Sequence, residues 1–363
     1  MKILHIHPSM TGGGIEAMIC GLVNEMAKFH EVSLCTIFEP KKEHVFEKKI
    51  SASVHRFSLG KTKPGFSIRE IFEIYRCIKN GNFDVVHIHG FFYYYALSVF
   101  LLHQRVRFVY TIHSDAAKEN SLWDKRIIVL KKYAFKKKYV EPVTISQESR
   151  RSFSAFYGLP STLIYNGVSS YPTISKTNKL TSYRLTEKTK LFLHPGRISE
   201  AKNQVVLVKV FDRLIKEKND VVLLIAGAKQ DMVIWKEIEP FFNTRIVYLG
   251  ERNDIRDLLT EADAFCLPSV WEGMPVTLLE ALSVGCVPIC SPVGGIPEVI
   301  TPGVNGFLSV DSTAEAYYKV MTDFLACPNA VIKQMKHHCL NSFQKFSISE
   351  VSKKYIEVYK STL

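Results

Sequence analysis

The sequence has no C-x-x-C, no D-x-D, no H-x-x-x-H and no G-x-G-x-x-G. The first and third absences leave no zinc or dithiol spacing, so the eight scattered cysteines read as buried reduced thiols, Cys286 and Cys290 flanking one apolar run. The fourth, with Ala17 after the first glycine-rich turn and no acid at the end of the second apolar run, argues against a nicotinamide dehydrogenase. Long apolar runs are missing too. The nearest candidate, FFYYYALSVFLL (Phe91–Leu102), is shorter than the roughly 18 residues of a membrane span and reads as a core helix. The opening MKILHIHP has a short apolar run ending at Pro8, unlike a signal peptide, so a cytoplasmic protein is expected. Acid is the scarcer charge: 35 Asp and Glu against 47 Lys and Arg give a net +12, which points to an anionic partner without choosing it.

What is present is alternation. KILHIHP, EVSLCTIF, DVVHIHG, RFVYTIHS and EPVTIS read as strands separated by amphipathic helices such as IEAMICGLVNEMAKF. A polar stretch, Ser169–Lys190, reads as a linker. The pattern then restarts with KLFLHPGRI, DVVLLIAGA, RIVYLG, DAFCLPS and CVPIC as strands and NQVVLVKVFDRLIKEK as a helix with Val206, Val210, Phe211 and Leu214 inward. The 363 residues therefore predict an α/β chain of two doubly wound, Rossmann-like domains facing across a cleft. The boundaries are 1–168 and 169–346. The final amphipathic stretch, FSISEVSKKYIEVYKSTL, reads as a surface helix that can cap the second domain. Open sheets of this kind bind ligands at the carboxyl ends of their strands.

Four clusters fall at such ends. In WEGMPVTLLEALSVG, Glu272 and Glu280 are separated by seven residues; Pro275 suits a helix start and Gly285 its end, predicting a helix over 275–284. Glu272 then lies in the preceding loop and Glu280 inside the helix, as two solvated acids or as two acceptors for ligand hydroxyls on either side of a phosphate over the helix N-terminus. In HPGRISEAKNQ, Arg197 offers a planar fork and Lys202 a compact charge, either for phosphate oxygens or for solvent. In SMTGGGIEAM, Gly12, Gly13 and Gly14 allow a close backbone approach or simply a tight turn. In YTIHSD, His113 ends a strand, as a ligand hydrogen-bonding group or a structural histidine. With no D-x-D, the anion neutralisers are Arg197, Lys202 and a helix N-terminus, so a diphosphate is expected to be held without a divalent metal.

Together with DVVHIHG, IYNGV and GVNGFL, these clusters, in this order, resemble the family 4 retaining glycosyltransferases, which have the GT-B architecture. The resemblance covers nearly the whole chain, although Ser169 follows NGV where the family often has Asp. It implies transfer of a sugar from a nucleoside diphosphate to an acceptor hydroxyl with retained configuration and no cofactor, a UDP-sugar being the favoured donor. It also implies residue roles. Arg197 and Lys202 hold the leaving diphosphate, Glu280 the ribose hydroxyls and Glu272 the sugar hydroxyls. Gly196, Gly273 and the backbone of Met274, Pro275, Val276 and Thr277 cradle the sugar and β-phosphate. Gly13 and Gly14 admit the diphosphate, and His113 stands beside the transferred sugar. The last helix, 347–363, crosses back to the first domain. The implied acceptor is a glycan or lipid-linked oligosaccharide of a bacterial surface polysaccharide (O-antigen, capsule or exopolysaccharide).

WDKRIIVLKKYAFKKKYVE carries seven basic residues from Lys125 to Lys138 with no acid among them. At helical spacing Ile127, Ile128, Leu130, Tyr133, Ala134 and Phe135 face inward and the lysines outward, either to solvent or to anionic phospholipid on the inner membrane face. Other readings of the chain are a nucleotide-sugar 2-epimerase, disfavoured by the pairing of GRISEAKNQ with the two glutamates, and a non-enzymic binder of an anionic ligand. No nucleic-acid module is present.

Overall fold

The computed structural model describes residues 1–40, 45–63, 65–120, 125–170 and 178–361. Part of the linker reading, residues 171–177, lies outside them. The chain divides into two compact units, Met1–Ser169 with Phe346–Leu363, and Ser170–Lys345.

The first unit runs β1 (Lys2–His7), α1 (Gly14–Met26), β2 (Glu31–Phe38), β3 (His55–Lys61), α2 (Ile68–Asn80), β4 (Val85–Ile88), α3 (Ala96–Leu102), β5 (Arg107–Ile112), α4 (Ala116–Asn120), α5 (Lys125–Lys136), β6 (Val140–Thr144), α6 (Gln147–Tyr157) and β7 (Thr162–Leu163). Its strands form one parallel sheet in the order β3-β2-β1-β4-β5-β6-β7. Strand residues alternate between faces. Leu4, Ile6, Val86, Ile88, Phe108 and Tyr110 fill one face and pack with α2, α3, α5 and α6 residues such as Ile74, Val99, Phe135 and Phe153. The other face carries His5, His7, His87 and Thr111, which the apolar core does not include.

The second unit runs β8 (Lys190–Pro195), α7 (Gln204–Lys216), β9 (Val221–Ala226), α8 (Met232–Ile238), β10 (Ile246–Tyr248), α9 (Ile255–Glu261), β11 (Ala264–Leu267), α10 (Val276–Ser283), β12 (Val287–Cys290), β13 (Phe307–Leu308), α11 (Ala314–Ala326) and α12 (Asn329–Phe343). Its parallel sheet has the order β10-β9-β8-β11-β12-β13. In α7, Leu207, Val208, Val210, Phe211 and Leu214 are buried, while Val206 is only half-buried.

The last helix, α13 (Ile348–Lys360), belongs to the first unit and packs on α1. Buried hydrogen bonds fix it to the polar sheet face: Tyr359 Oη lies 2.6 Å from His87 Nδ1, and Tyr355 Oη 3.1 Å from Thr111 Oγ1. Polar partners of this kind specify where a helix docks, because any other register would strand buried groups.

Several expectations change. Residues 178–190 are not a loose tether, since Lys179 Nζ pairs with Asp254 and Asp257 at 2.7 and 2.6 Å and Arg184 with Asp263 at 2.9 Å. The run from Phe91 is not one helix: Phe91 is left-handed (φ 53°), a single 3₁₀ turn follows over Phe92–Tyr94, and α3 begins at Ala96. On α5, Lys131 faces inward, 2% exposed, with its Nζ 2.9 Å from Glu119 Oε1 and over the Tyr110 ring. The aromatic wall and that carboxylate hold the charge where the helical spacing puts an inward position. Leu130 and Tyr133, expected inside, are exposed beside Val129. All eight cysteines are free; Cys77 and Cys327 are half-buried and the rest buried. No helix among the described residues is long and apolar enough to cross a membrane.

Candidate active site

In the second sheet the strand order reverses between β8 and β11, and the loops leaving those two strands diverge from neighbouring carboxyl ends. Such a switch point is where doubly wound sheets hold ligands. The β8 loop carries Gly196, Arg197 and Lys202; the β11 loop carries Glu272, Gly273, Met274 and Pro275. Val270 N–H donates to Ala201 O (3.0 Å), tying one loop to the other. Lys202 Nζ then meets Glu272 Oε1 at 2.5 Å, with side chains 19% and 10% exposed. Ser269 Oγ donates to the same oxygen at 2.7 Å. Glu272 Oε2 has no partner among the described residues, and an ammonium has two further N–H groups to give.

The β8 loop is held from beneath by a buried network. His194 Nδ1 lies 2.9 Å from Cys266 O, which can only accept, so its hydrogen is on Nδ1 and its Nε2 accepts from Gln204 Nε2 (3.0 Å). Gln204 also donates to Arg197 O (2.9 Å) and accepts from Ser199 N–H (3.2 Å). Burial holds His194 neutral, its pKa lowered to about 4. Asn203, left-handed at φ 55°, caps α7 and sends its amide to Pro268 O and Ser312 O, both 3.1 Å away. The result is a fixed backbone beneath an exposed Arg197, whose guanidinium has no hydrogen bond or ion pair among the described residues.

Two glycines permit this closeness. Gly227 has φ 151°, and a Cβ there would stand 2.1 Å from Gly196 O. Gly294 has φ 61°, and its Cβ would stand 2.2 Å from Glu272 O.

The helix after the β11 loop starts at Val276, one residue later than predicted, because Pro275 takes extended backbone (ψ 118°) as the cap. Met274, Pro275 and Val276 are buried and Thr277 half-buried. The helix ends at Ser283, one residue short of the prediction, with Val284 as its cap; Gly285 follows as expected, left-handed (φ 71°), and Cys286 N–H reaches Ala281 O at 2.9 Å. Glu280 is not a free surface acid. Arg256 Nε of α9 lies 3.3 Å from its Oε1, the side chains 22% and 16% exposed.

In the first unit the switch point lies between β1 and β4. The β1 loop ends at Gly13, Gly14 opens α1, and His113 follows β5, the strand beyond β4. A Cβ on Gly13 would meet Glu16 Oε2 at 2.3 Å, so this glycine makes room for the carboxylate of its own helix. Glu16 accepts from Thr11 Oγ1 (2.8 Å), and His7 Nε2 stands 3.7 Å away. Burial alone would raise the Glu16 carboxyl, but the hydrogen bond and charge of His7, with Thr11, bring it down to about 2. His113 is not alone. It joins His5, His7, His87 and His89 on the polar sheet face, and burial lowers His5 and His113 to about 3 and His87 and His89 well below the usual histidine value. Only His113 was singled out from sequence, although H-I-H in β1 and again at β4 spaces two imidazoles onto one sheet face each time.

One group among the described residues, His5, His87 and His89, brings ring nitrogens within 4.8 Å of one another, the reach of a single metal ion. All of those nitrogens but His5 Nε2 already have hydrogen-bond partners. His87 Nδ1 meets Tyr359 Oη and its Nε2 meets Thr111 Oγ1 (2.7 Å), while His5 Nδ1 and His89 Nε2 meet each other at 3.1 Å. An ion would have to break most of these bonds, and the three-histidine group offers no carboxylate to offset its charge, so hydrogen bonding accounts for the cluster better.

Comparison with known proteins finds glycosyltransferases. Residues 12–170 match the family described as Glycosyltransferase Family 4, and residues 175–339 match Glycosyl transferases group 1. The capsular polysaccharide biosynthesis glycosyltransferase CapH of Staphylococcus aureus is 27% identical over 99% of both chains. The UDP-Gal:alpha-D-GlcNAc-diphosphoundecaprenol alpha-1,3-galactosyltransferase of Escherichia coli is 26% identical over 76% of each. Among solved structures, Anabaena HepE in complex with UDP and glucose superposes with a TM-score of 0.80 at 19% identity, over 99% of this chain and 100% of that one.

Proposed function

The chain belongs to the family 4 and group 1 glycosyltransferases, with the GT-B architecture, and on that premise we propose that it moves a hexose from UDP to an acceptor hydroxyl with the anomeric configuration kept. The observation that carries the reading is the meeting of Lys202 and Glu272 at the switch point of the second sheet. One loop supplies cations for a diphosphate; the other supplies an acceptor for sugar hydroxyls and leads into a helix N-terminus. Lys202 keeps two N–H groups for phosphate oxygens while the third holds Glu272. Glu272 keeps Oε2 for the sugar. Arg197 adds a bidentate fork. Glu280, steadied by Arg256, takes the ribose hydroxyls. Backbone N–H groups from Gly273 to Thr277, with the α10 dipole, receive the β-phosphate side, and Gly196 lets it approach. The first unit carries a candidate ligand edge of its own, with Gly13, Gly14 and His113 at the carboxyl ends of its strands.

In this scheme the bond from the anomeric carbon to the β-phosphate oxygen breaks, its electron pair leaving with the phosphate, as the acceptor oxygen bonds the same face of that carbon. The acceptor proton passes to the leaving phosphate oxygen. Negative charge grows on the diphosphate, where Arg197, Lys202 and the α10 N-terminus stand ready, and such preorganised donors contribute most to the rate. Two cations and a helix end balance a diphosphate without a divalent metal. The E. coli relative acts on a diphosphoundecaprenol acceptor and CapH serves capsule synthesis. The first supports a lipid-linked glycan acceptor and the second a place in surface polysaccharide assembly. The test is donor turnover in excess EDTA, with the anomer of the product as its second readout.

A lipid-linked acceptor brings the enzyme to a membrane, and α5 offers the contact. Arg126, Lys132, Lys136 and Lys137 are exposed alongside Val129, Leu130 and Tyr133, so cationic and apolar groups share one surface. Each basic residue near an anionic bilayer contributes about 1 kcal/mol. Reversing these four to Glu, with Lys131 left in place, is expected to lower co-sedimentation with phosphatidylglycerol vesicles by at least about tenfold. Binding equal to that of the unaltered protein would remove the membrane contact from the scheme.

A further inference from the structure

Three of the buried imidazoles are joined end to end. His113 Nε2 lies 3.1 Å from His89 Nδ1, and His89 Nε2 lies 3.1 Å from His5 Nδ1. Burial keeps all three rings neutral. A neutral imidazole has one N–H and one lone pair, so two hydrogen bonds through three rings can form in only two ways. Either all three rings carry hydrogen on Nδ1, or all three carry it on Nε2. The alternatives differ at the ends of the chain, His113 Nδ1 and His5 Nε2, which are both buried without a partner.

The ends are not equivalent. Each alternative leaves one N–H without a protein partner, at His5 Nε2 or at His113 Nδ1, and His5 is fully buried in mid-strand, the costlier place to strand it. His113 is half-buried at the carboxyl edge of the sheet, within electrostatic reach of Glu16 and His7. The Glu16 carboxylate also pairs with any positive charge on His7, 3.7 Å away. The negative charge of Glu16 favours a hydrogen over a lone pair at His113, against the opposing influence of His7. We infer that His5 and His89 are positioning residues that hold the hydrogen of His113 on Nδ1, so that His113 can donate to a ligand oxygen but cannot act as a base through that atom. The inner end of the chain stops at His5 Nε2 in the interior, so the chain sets a tautomer and conducts no proton. The group it suits is an oxygen offering a lone pair, a sugar hydroxyl or a phosphoryl oxygen. That consequence rests on the glycosyl-transfer reading; the tautomer does not.

The experiment is nitrogen-15 NMR of the full chain labelled at histidine, with His113 and His89 identified by single substitution. The expected spectrum shows N–H character at Nδ1 and bare character at Nε2 for His113, His89 and His5. His89→Leu is expected to release His113 toward the Nε2–H form, and His89→Asn, whose amide nitrogen stands where Nδ1 stood, to restore Nδ1–H. A hydrogen on Nε2 of His113 in the unaltered protein would overturn the inference. So would a tautomer indifferent to His89→Leu, or one equivalent of zinc bound through His5, His87 and His89. The unaltered protein's spectrum decides alone where His89→Leu fails to fold. Because the tautomer is read without turnover, its failure is distinct from failure of the proposed reaction.

Discussion

Lys202→Ala is expected to lower turnover by about a hundredfold or more, the scale of removing one preorganised donor from a developing anion. The structure makes a sharper version possible, because Lys202 also neutralises Glu272 at 2.5 Å. Loss of the ammonium leaves a carboxylate that is 10% exposed with Ser269 as its remaining partner, and an uncompensated, largely buried charge is itself disruptive. The two causes separate in the double variant Lys202→Ala/Glu272→Gln. Gln still accepts from Ser269 and carries no charge. If Lys202 acts on the leaving phosphate, the double variant turns over no faster than Lys202→Ala. Recovery toward unaltered turnover would assign Lys202 to Glu272 alone.

Gly227→Ala is expected to destabilise the second unit by about 2–6 kcal/mol, combining about 1–3 kcal/mol of backbone strain with about 1–3 kcal/mol of overpacking. At φ 151° the position disfavours any side chain, and the new Cβ would stand 2.1 Å from Gly196 O and 3.0 Å from Arg197 N. Both are backbone atoms of the loop that presents Arg197, so relief of the clash must move that loop. Gly303→Ala is the control. Its φ of 76° is also positive, but its Cβ would meet nothing within 4 Å, so strain alone of about 1–3 kcal/mol applies. Urea denaturation compares the two. Equal losses would mean that the close approach of the Gly196 loop contributes nothing.

Much of the fold was legible because it is written in local patterns. Alternating apolar runs located ten of the thirteen described strands, missing β3 and the two-residue edge strands β7 and β13, and Gly285 marked the end of α10 through its left-handed backbone. Pro275 misled by one residue, since the same ring constraint suits the cap and the first turn. Lys131 misled because periodicity speaks of apolar residues, whereas an inward position on α5 is filled by a cation that Tyr110 and Glu119 accommodate. The pairings at the candidate site were not legible at all. Lys202 and Glu272 lie 70 residues apart, and Arg256 and Glu280 come from different helices, so only the strand order brings them together. The close approach at Gly227 depends on a loop from another strand in the same way. The histidine cluster was half legible: each H-I-H marks one face, but the adjacency of β1, β4 and β5 had to be seen.

The measurement that bears most directly on the central proposal is turnover of UDP-hexoses in excess EDTA with a lipid-linked glycan acceptor, followed by the proton–carbon coupling at the anomeric centre of the product. The account predicts that UDP is released at the same rate with and without added magnesium, and that a sugar α-linked in the donor is α-linked in the product. A product of inverted configuration, or release of UDP that stops when divalent metal is removed, would contradict it.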